Sequence, residues 1–204
     1  DWQFHRHVRA RQNICTAGDQ LNLVFIMCEG WAFRFVQLSD GRRQVLSIVL
    51  PGDVFTATAP FKAKRRSSVQ AITDVRFCGY SRGRLKENLI ADPDVFSAWT
   101  DILVDETSEA NHLLVDLGCR SAEERIAHLI LSLRRRMKQR GMAVDAFIPF
   151  PLRQRLIAEI TGLTPEHVNR FMRSFREAGL IETGKKSVTI LNRAEFRRIG
   201  ELRA

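Results

Sequence analysis

Glycines recur at nearly constant intervals through the first quarter of this chain. They lie 12, 11 and 11 residues apart, each in a turn context: Gly18, Gly30, Gly41 and Gly52. The pair Asp40-Gly41 is a strong hairpin signal. Apolar runs lie between and beyond the turns, namely Leu21 to Met27, Trp31 to Leu38, Gln44 to Leu50, Ser68 to Ile72 and Val75 to Tyr80. Regular strands with turn signals about every 8–12 residues are typical of sandwiches and barrels. We therefore predict a small β-roll over residues 12–90.

The spacing of apolar residues changes after residue 92. Over residues 93–117, six positions recur at intervals of 4, 3, 4, 3 and 4: Trp99, Leu103, Glu106, Ala110, Leu113 and Leu117. This spacing is the seam of a two-stranded coiled coil, so we predict a long helix through which two copies of the chain form a homodimer. Glu106, a polar residue on the seam, would fix the register. An amphipathic helix lying on its own roll is the alternative.

The net charge of +9 is confined to the C-terminal part of the chain. Residues 1–118 carry 14 Lys/Arg and 14 Asp/Glu, whereas residues 119–204 carry 18 Lys/Arg and nine Asp/Glu. A neutral segment followed by a basic one favours a sensing or assembly module joined to a module that binds a polyanion. A basic surface that is simply solvated is the alternative explanation.

The most specific pattern lies near the C-terminus. Leu152 to Ile160 predicts a short helix, and Gly162 suits the position just after it. Thr164 then offers an N-cap, and Pro165 the first position of a second helix that runs to about Glu177. The inward face of the second helix is predicted to consist of Val168, Phe171, Met172 and Phe175. Two helices joined by a short glycine-containing turn form a helix-turn-helix.

A basic hairpin is predicted to follow the two helices. Strands at Leu180 to Glu182 and Ser187 to Leu191 enclose a tip at residues 183–186, as in the wing of a winged helix. The second helix should lie in the major groove, where Arg170 can donate twice to guanine and Glu166 can accept from cytosine. The candidate DNA-binding residues are Thr164, Glu166, His167, Asn169, Arg170 and Arg173, with Lys185 and Lys186 at the tip.

Three segments resemble the CRP/FNR-type transcription regulators. They are DGRRQVLSIVLPGD (40–53), SAEERIAHLILSL (121–133) and LIAEITGLTPEHVNRFMRSFREAGLIE (156–182). The resemblance implies an α+β fold with a cyclic-nucleotide-binding-like β-roll sensor domain at 1–91, a dimerisation helix at 92–119 and a winged helix-turn-helix DNA-binding domain at 120–204. It also implies three partners, which are double-stranded DNA, a second copy of the chain and RNA polymerase.

The recognition-helix motif of that family is Glu, three residues, then Arg, and it falls on Glu166 and Arg170. Pro165 stands where the cyclic-AMP receptor type has Arg, and Asn169 stands where the family often has Ser or Gly. The target DNA sequence is therefore expected to differ from the sites of that type.

The sensor half departs further from the family pattern. Members that bind cyclic AMP carry a Gly-Glu-Leu element after the PGD-type turn, whereas this chain has Thr56-Ala57-Thr58. The resemblance places the phosphate end of a pocket at Arg65 or Arg66 with Ser67, and a dimer-helix contact at Asn111. The missing carboxylate argues against cyclic AMP, and a different anionic small-molecule effector, or none, is expected. A solvated loop is the alternative for the two arginines.

The sequence has few features of a metal site, a cofactor site or an enzyme. The four cysteines form no C-x-x-C pair, so no zinc or iron–sulfur motif is predicted, and Cys15, Cys28 and Cys78 are interpreted as packing residues. His5 and His7 form an HRH motif, but no haem or metal site is expected there. No arrangement typical of an enzyme is present. We expect a cytoplasmic protein with reduced thiols and no membrane segment. A small-ligand or redox sensor in which DNA binding is secondary is the alternative function.

Overall fold

The computed structural model describes residues 4–20, 22–62, 64–142 and 146–200. The chain divides into two compact units, Asp1–His112 and Leu113–Ala204. A single long helix, α2 (Pro93–Cys119), crosses the boundary between them.

The first unit is a roll of antiparallel strands followed by a short helix. The strands are β1 (Phe4–Val8), β2 (Asn13–Cys15), β3 (Leu23–Glu29), β4 (Ala32–Gln37), β5 (Arg43–Val49), β6 (Ser68–Ala71) and β7 (Val75–Ser81), and helix α1 spans Arg82–Ala91. They form two sheets, with strand orders β1-β7-β3 and β2-β6-β4-β5. The predicted roll and its closing pair of strands are confirmed.

Three phenylalanines form the centre of the roll. Phe25 of β3 meets Phe77 of β7 edge to face, with ring centroids 5.2 Å apart, and the ring of Phe55 lies 5.7 Å from each. All three side chains are buried. Aromatic pairs in this geometry contribute about 0.5–1.5 kcal/mol beyond their buried area. The apolar runs between the turns form strands, as predicted, and their large side chains fill one core.

One glycine of the series is required by its surroundings. Gly30, in the turn between β3 and β4, has a φ of +84°, and a Cβ there would lie 2.2 Å from the backbone oxygen of Asp74. A larger residue would have to displace backbone. The close approach to Asp74 therefore requires glycine at this position of the turn between β3 and β4.

The prediction of β structure over 12–90 was wrong at both ends. β1 begins earlier, at Phe4, and residues 82–91 form helix α1. The Ser81 side chain accepts a hydrogen bond from the Arg84 backbone N–H, and Leu85 and Leu89 are buried one turn apart. This N-cap and the four-residue spacing are helical signals that the roll interpretation overlooked. Leu21, the predicted start of the first run, lies outside the described residues.

The predicted long helix is confirmed, but its first seam residue faces the chain's own roll. Trp99 is buried in a cluster with Val24, Ala57 and Leu85, and its indole nitrogen donates to the Ala57 carbonyl at 3.2 Å. Leu103 packs partly against the same cluster. The dimer-interface prediction for Trp99 is therefore corrected, because its large ring finds its apolar partners within the same chain.

The second unit is a small helical domain with a three-stranded sheet. Its elements are α3 (Ala122–Gln139), β8 (Phe147–Pro149), α4 (Gln154–Thr161), α5 (Pro165–Glu177), β9 (Ile181–Gly184), β10 (Ser187–Ile190) and α6 (Arg193–Gly200). The strand order is β8-β10-β9, all antiparallel. Phe175 of α5 and Phe196 of α6 meet edge to face at 5.2 Å in the core. Sequence analysis did not predict β8 or α6, which are short segments of three and eight residues.

Candidate nucleic-acid interface and effector pocket

A tight turn holds α4 and α5 as a helix pair. Gly162 ends α4 in the left-handed conformation with a φ of 65°. The Thr164 hydroxyl then accepts from the His167 backbone N–H at 3.3 Å and caps α5, with Pro165 in its first turn. Such an N-cap stabilises a helix by about 0.5–2 kcal/mol. The predicted helix-turn-helix therefore forms with the predicted cap.

Buried residues fix which side of α5 remains in solvent. Val168, Met172 and Phe175 are buried, whereas Phe171, which was predicted to face inward, is only half-buried. The six candidate residues on or beside α5 are all exposed: Thr164, Glu166, His167, Asn169, Arg170 and Arg173. The structure thus brings them together at the free face of one helix.

Neighbouring groups restrain several of these side chains. The Gln154 amide of α4 donates to the Asn169 side-chain oxygen at 3.2 Å, which leaves the Asn169 NH₂ group as a donor. The Arg170 guanidinium lies 5.0 Å from the centre of the Phe171 ring, a cation–π distance. Backbone hydrogen bonding within Glu166, and a hydrogen bond with the Thr164 side chain, lower the pKa of the Glu166 carboxyl. Glu166 is therefore an ionised acceptor at neutral pH.

The hairpin after α5 is tighter than expected. Ser187 pairs with Gly184, so the tip consists of Lys185 and Lys186 alone rather than the four predicted residues 183–186. Both lysines are exposed, and Lys186 has a φ of 64°, in the left-handed region. Its carbonyl accepts from the Phe150 backbone N–H at 2.7 Å, which holds this conformation. The chain thus presents two adjacent positive charges on a constrained turn.

The remaining seam residues of α2 lie in different environments. Ala110 is exposed, and Leu113 and Leu117 are half-buried. Glu106 forms an ion pair with Arg34 of β4, with its Oε1 2.8 Å from the Arg34 Nη1. Three large apolar residues of α2 that were not on the predicted seam are exposed, namely Phe96 at 55%, Val104 at 56% and Leu114 at 68%.

An open pocket in the roll contains most of the predicted effector residues. It encloses about 350 Å³, including the part open to solvent, and is lined by Arg34, Phe55, Thr56, Thr58, Ala59, Lys62, Lys64, Arg65, Arg66 and Ser67. Five of these side chains are cationic, and the described lining contains no carboxylate. Arg65, Arg66 and Ser67, which the family resemblance placed at the phosphate end of a pocket, line this one together.

Two guanidinium groups in this pocket have buried nitrogens without a protein hydrogen-bond partner among the described residues. These atoms are Nη1 of Arg65 and Nε of Arg34. The Arg65 Nε donates to the Ser67 carbonyl at 3.1 Å. Burial lowers the pKa of the Arg65 guanidinium, and the positive charge of Arg34 lowers it further. Buried charged donors without partners are costly, so the pocket is suited to an anion.

One predicted pocket residue lines the pocket with its hydroxyl already engaged, and another lies outside the pocket. The Thr56 hydroxyl is buried and accepts from the Phe25 backbone N–H at 2.7 Å, so this oxygen already serves the roll itself. Asn111 is exposed on α2 and does not line the pocket. It was placed by ungapped alignment, which takes no account of where the pocket loop folds. Arg34 was not among the predicted pocket residues, although it stands as a cation between Phe33 and Phe35 in the apolar run that forms β4.

Comparison with known proteins agrees with this architecture. Residues 5–92 match the cyclic nucleotide-binding domain, and residues 124–199 match the Crp-like helix-turn-helix domain. The transcriptional activatory protein AadR of Rhodopseudomonas palustris is 30% identical over 94% of this chain and 80% of its own length. The transcriptional activator protein FnrL of Cereibacter sphaeroides is 28% identical over 95% of this chain and 79% of its own length. The structure of FixK2 from Bradyrhizobium japonicum superposes with a TM-score of 0.90, at 26% identity, over 98% of both chains.

A β-roll sensor unit followed by a winged helix-turn-helix defines the class of DNA-binding transcription regulators rather than enzymes. The chain belongs to the CRP/FNR family of these regulators. Members of this family bind DNA and act as dimers. In the part of the chain that the structure describes, none of the helices has the length and apolar character needed to cross a bilayer.

Proposed function

We propose that this chain binds a two-fold symmetric double-stranded DNA site as a homodimer, with α5 in the major groove and the hairpin tip on a phosphate. The observation that carries the proposal is the cluster of exposed polar side chains at the N-terminal end of a capped second helix. In helix-turn-helix proteins these positions reach base edges. The positive charge of the C-terminal unit supports contact with the DNA backbone.

The roles of the candidate residues follow from their chemistry. Arg170 is the reader of guanine and Glu166 the acceptor for a cytosine amino group. Asn169, whose oxygen is held by Gln154, uses its NH₂ group as a donor to a base or a phosphate. Thr164, His167 and Arg173 flank these positions, and Lys185 and Lys186 bind phosphate.

The dimer face of α2 is a row of residues displaced from the predicted seam. Phe96, Thr100, Leu103, Thr107, Ala110 and Leu114 recur at intervals of 4, 3, 4, 3 and 4, and all are exposed except half-buried Leu103. The Thr100 and Thr107 hydroxyls donate to the helix carbonyls of Phe96 and Leu103, so these hydroxyls are already satisfied within the helix. This row shares Leu103 and Ala110 with the predicted seam. Its spacing matches the a/d repeat of a coiled-coil pair, and four of its six residues are apolar.

The pocket of the roll binds the effector, an anion other than cyclic AMP. Five cationic side chains suit phosphate or carboxylate groups, and the two unpartnered guanidinium nitrogens supply donors for them. The described lining offers no carboxylate to accept hydrogen bonds from ribose hydroxyls. A compact anion therefore fits this chemistry better than a nucleotide.

Three further assignments belong to this proposal. Residues 1–91 form the sensor, 92–119 the dimerisation helix and 120–204 the DNA-binding module, with α2 shared by both compact units. RNA polymerase is the protein partner, as the family resemblance implies. The protein acts in the cytoplasm, where its DNA target lies.

The proposal is tested by selecting duplexes from a random pool and measuring binding by fluorescence anisotropy at several salt concentrations. We expect two inverted half-sites about one helical turn apart and a steep loss of affinity with salt. Selection of no common sequence would favour the alternative, a ligand sensor in which DNA binding is secondary. A single half-site bound by one chain would contradict the homodimer.

A further inference from the structure

Three side chains that bind soft metal ions meet on the sheet β1-β7-β3. His5 of β1 lies directly opposite Cys78 of β7, and Cys28 lies at a bulge of β3 between Met27 and Glu29. The His5 Nδ1 is 3.2 Å from the Cys78 Sγ, and the three ligand atoms all lie within 4.8 Å of one another. We propose that His5, Cys28 and Cys78 bind a single thiophilic d¹⁰ ion, either Zn²⁺ or Cu⁺.

The spacing of the three atoms fits such an ion. Zinc–sulfur bonds of about 2.3 Å and zinc–nitrogen bonds of about 2.0–2.1 Å set tetrahedral ligand atoms roughly 3.5–3.8 Å apart. The spacings here are 3.2 Å for one pair and at most 4.8 Å for the others. Cys78 is buried, whereas His5 and Cys28 are exposed and can rotate onto the ion. Small side-chain movements therefore complete the site without moving the sheet.

The bulge is what places Cys28 near the other two residues. Met27 pairs with Phe77 and Glu29 with Arg76, so Cys28 has no partner in the register of the strands. Bulges redirect a side chain from its regular position and often lie beside functional sites. These cysteines were interpreted as packing residues because they form no C-x-x-C pair and fall in the predicted β region, and 50 residues separate Cys28 from Cys78. Only strand pairing brings them together.

The two cysteines of the site are free thiols, not a disulfide. A bound ion displaces the proton of each coordinating thiol to solvent. Zn²⁺ with two thiolates and a neutral imidazole carries no net charge, and water fills the fourth position. The site shares no residue with the effector pocket.

The experiment titrates the reduced, metal-free full chain with Co²⁺ as a spectroscopic probe, and then with Zn²⁺ and Cu⁺ against chromophoric chelators. We expect one ion per chain, a thiolate-to-cobalt charge-transfer band, and a rise in melting temperature because the ion ties β1 and β3 to β7. Cys28→Ser should remove the band and weaken binding at least about tenfold. Cys119→Ser, at another exposed cysteine, and His7→Gln, on the same strand as His5, should bind as the wild type does.

The chelator competition decides between the two ions, and failure of both to bind overturns the proposal. Equal binding by the wild type and Cys28→Ser overturns it as well. A metal-free wild type that loses two free thiols on standing would identify a disulfide instead. Cys28 is exposed, so Cys28→Ser remains informative where Cys78→Ser, in the interior, does not fold. DNA binding is measured separately on the same samples, so a negative result here leaves the proposed DNA binding intact.

Discussion

Arg34 of β4 and Glu106 of α2 form an ion pair of 2.8 Å, and their side chains are only 20% and 22% exposed. Arg34 also lines the effector pocket. The Glu106 carboxylate at Nη1 and an anion at the unpartnered Nε would both draw on the positive charge of this one guanidinium. Because Glu106 lies on α2, this electrostatic competition would link occupancy of the pocket to the helix that carries the proposed dimer face.

Replacing Glu106 by Gln should strengthen anion binding in the pocket. The change removes the carboxylate that competes for Arg34, so we expect the affinity for pyrophosphate, a compact anionic probe, to rise threefold or more in calorimetric titrations at low salt. The free energy of unfolding should fall by about 1 kcal/mol because the partly buried pair is lost. Asp105→Asn, the same charge change at an exposed neighbouring position, is the control. Equal effects of the two variants would argue against competition at Arg34.

Much of this fold was predictable from local patterns. Gly162, Thr164 and Pro165 specify the helix-turn-helix through capping rules that depend on only a few neighbouring residues. The turn series specified the strands of the roll in the same way. Helix α1 escaped prediction because its cap at Ser81 follows a strand directly, with no intervening loop to signal the change.

The two surfaces that depend on distant contacts were harder to predict. Trp99 and Phe96 are both aromatic residues of α2, yet one is buried in the roll and the other is exposed. The distinction depends on which face of the helix meets Val24 and Ala57, and both of these residues lie far from α2 in sequence. Arg34 was missed as a pocket residue for the same reason, because its neighbours Arg65 and Glu106 are brought to it only by folding.

Replacing Arg170 by Ala should relax the base preference at one position of each half-site. A bidentate contact to guanine contributes about 1–3 kcal/mol of discrimination, so the preference there should fall at least about fivefold. Arg170→Lys should keep most of the overall affinity and lose most of the preference, because an ammonium cannot donate in the paired geometry. Arg176→Ala, an exposed arginine in the last turn of α5, serves as control. Competition binding with duplexes changed at single positions measures all three, and an unchanged preference in Arg170→Ala would rule out this contact.

Replacing Lys186 by Gly should raise the stability of the protein and weaken its binding to DNA. Lys186 has a φ of 64°, which costs a residue with a Cβ about 1–2 kcal/mol relative to glycine. We expect Lys186→Gly to stabilise the protein against urea by up to about 1 kcal/mol, and to weaken binding of all duplexes alike because a phosphate contact is lost. Lys185→Gly is the control, because it removes the same charge at a residue whose φ is not in the left-handed region. A loss of stability in Lys186→Gly, or a change in base preference, would contradict the assignment.

Replacing Leu114 by Asp should convert the dimer to monomers. Leu114 is 68% exposed in the single chain and ends the row that begins at Phe96, so burying a carboxylate between two copies there would be strongly unfavourable. Leu113, on the originally predicted seam, is half-buried in its own unit, and Leu113→Asp is therefore expected to destabilise the fold as well. His112→Asp is the matched control, since His112 is exposed on another face of the same helix. Sedimentation equilibrium distinguishes the outcomes: Leu114→Asp should sediment as a folded monomer with little affinity for the two-half-site duplex, whereas His112→Asp should remain dimeric. A dimer that survives Leu114→Asp would place the interface on a different face of α2.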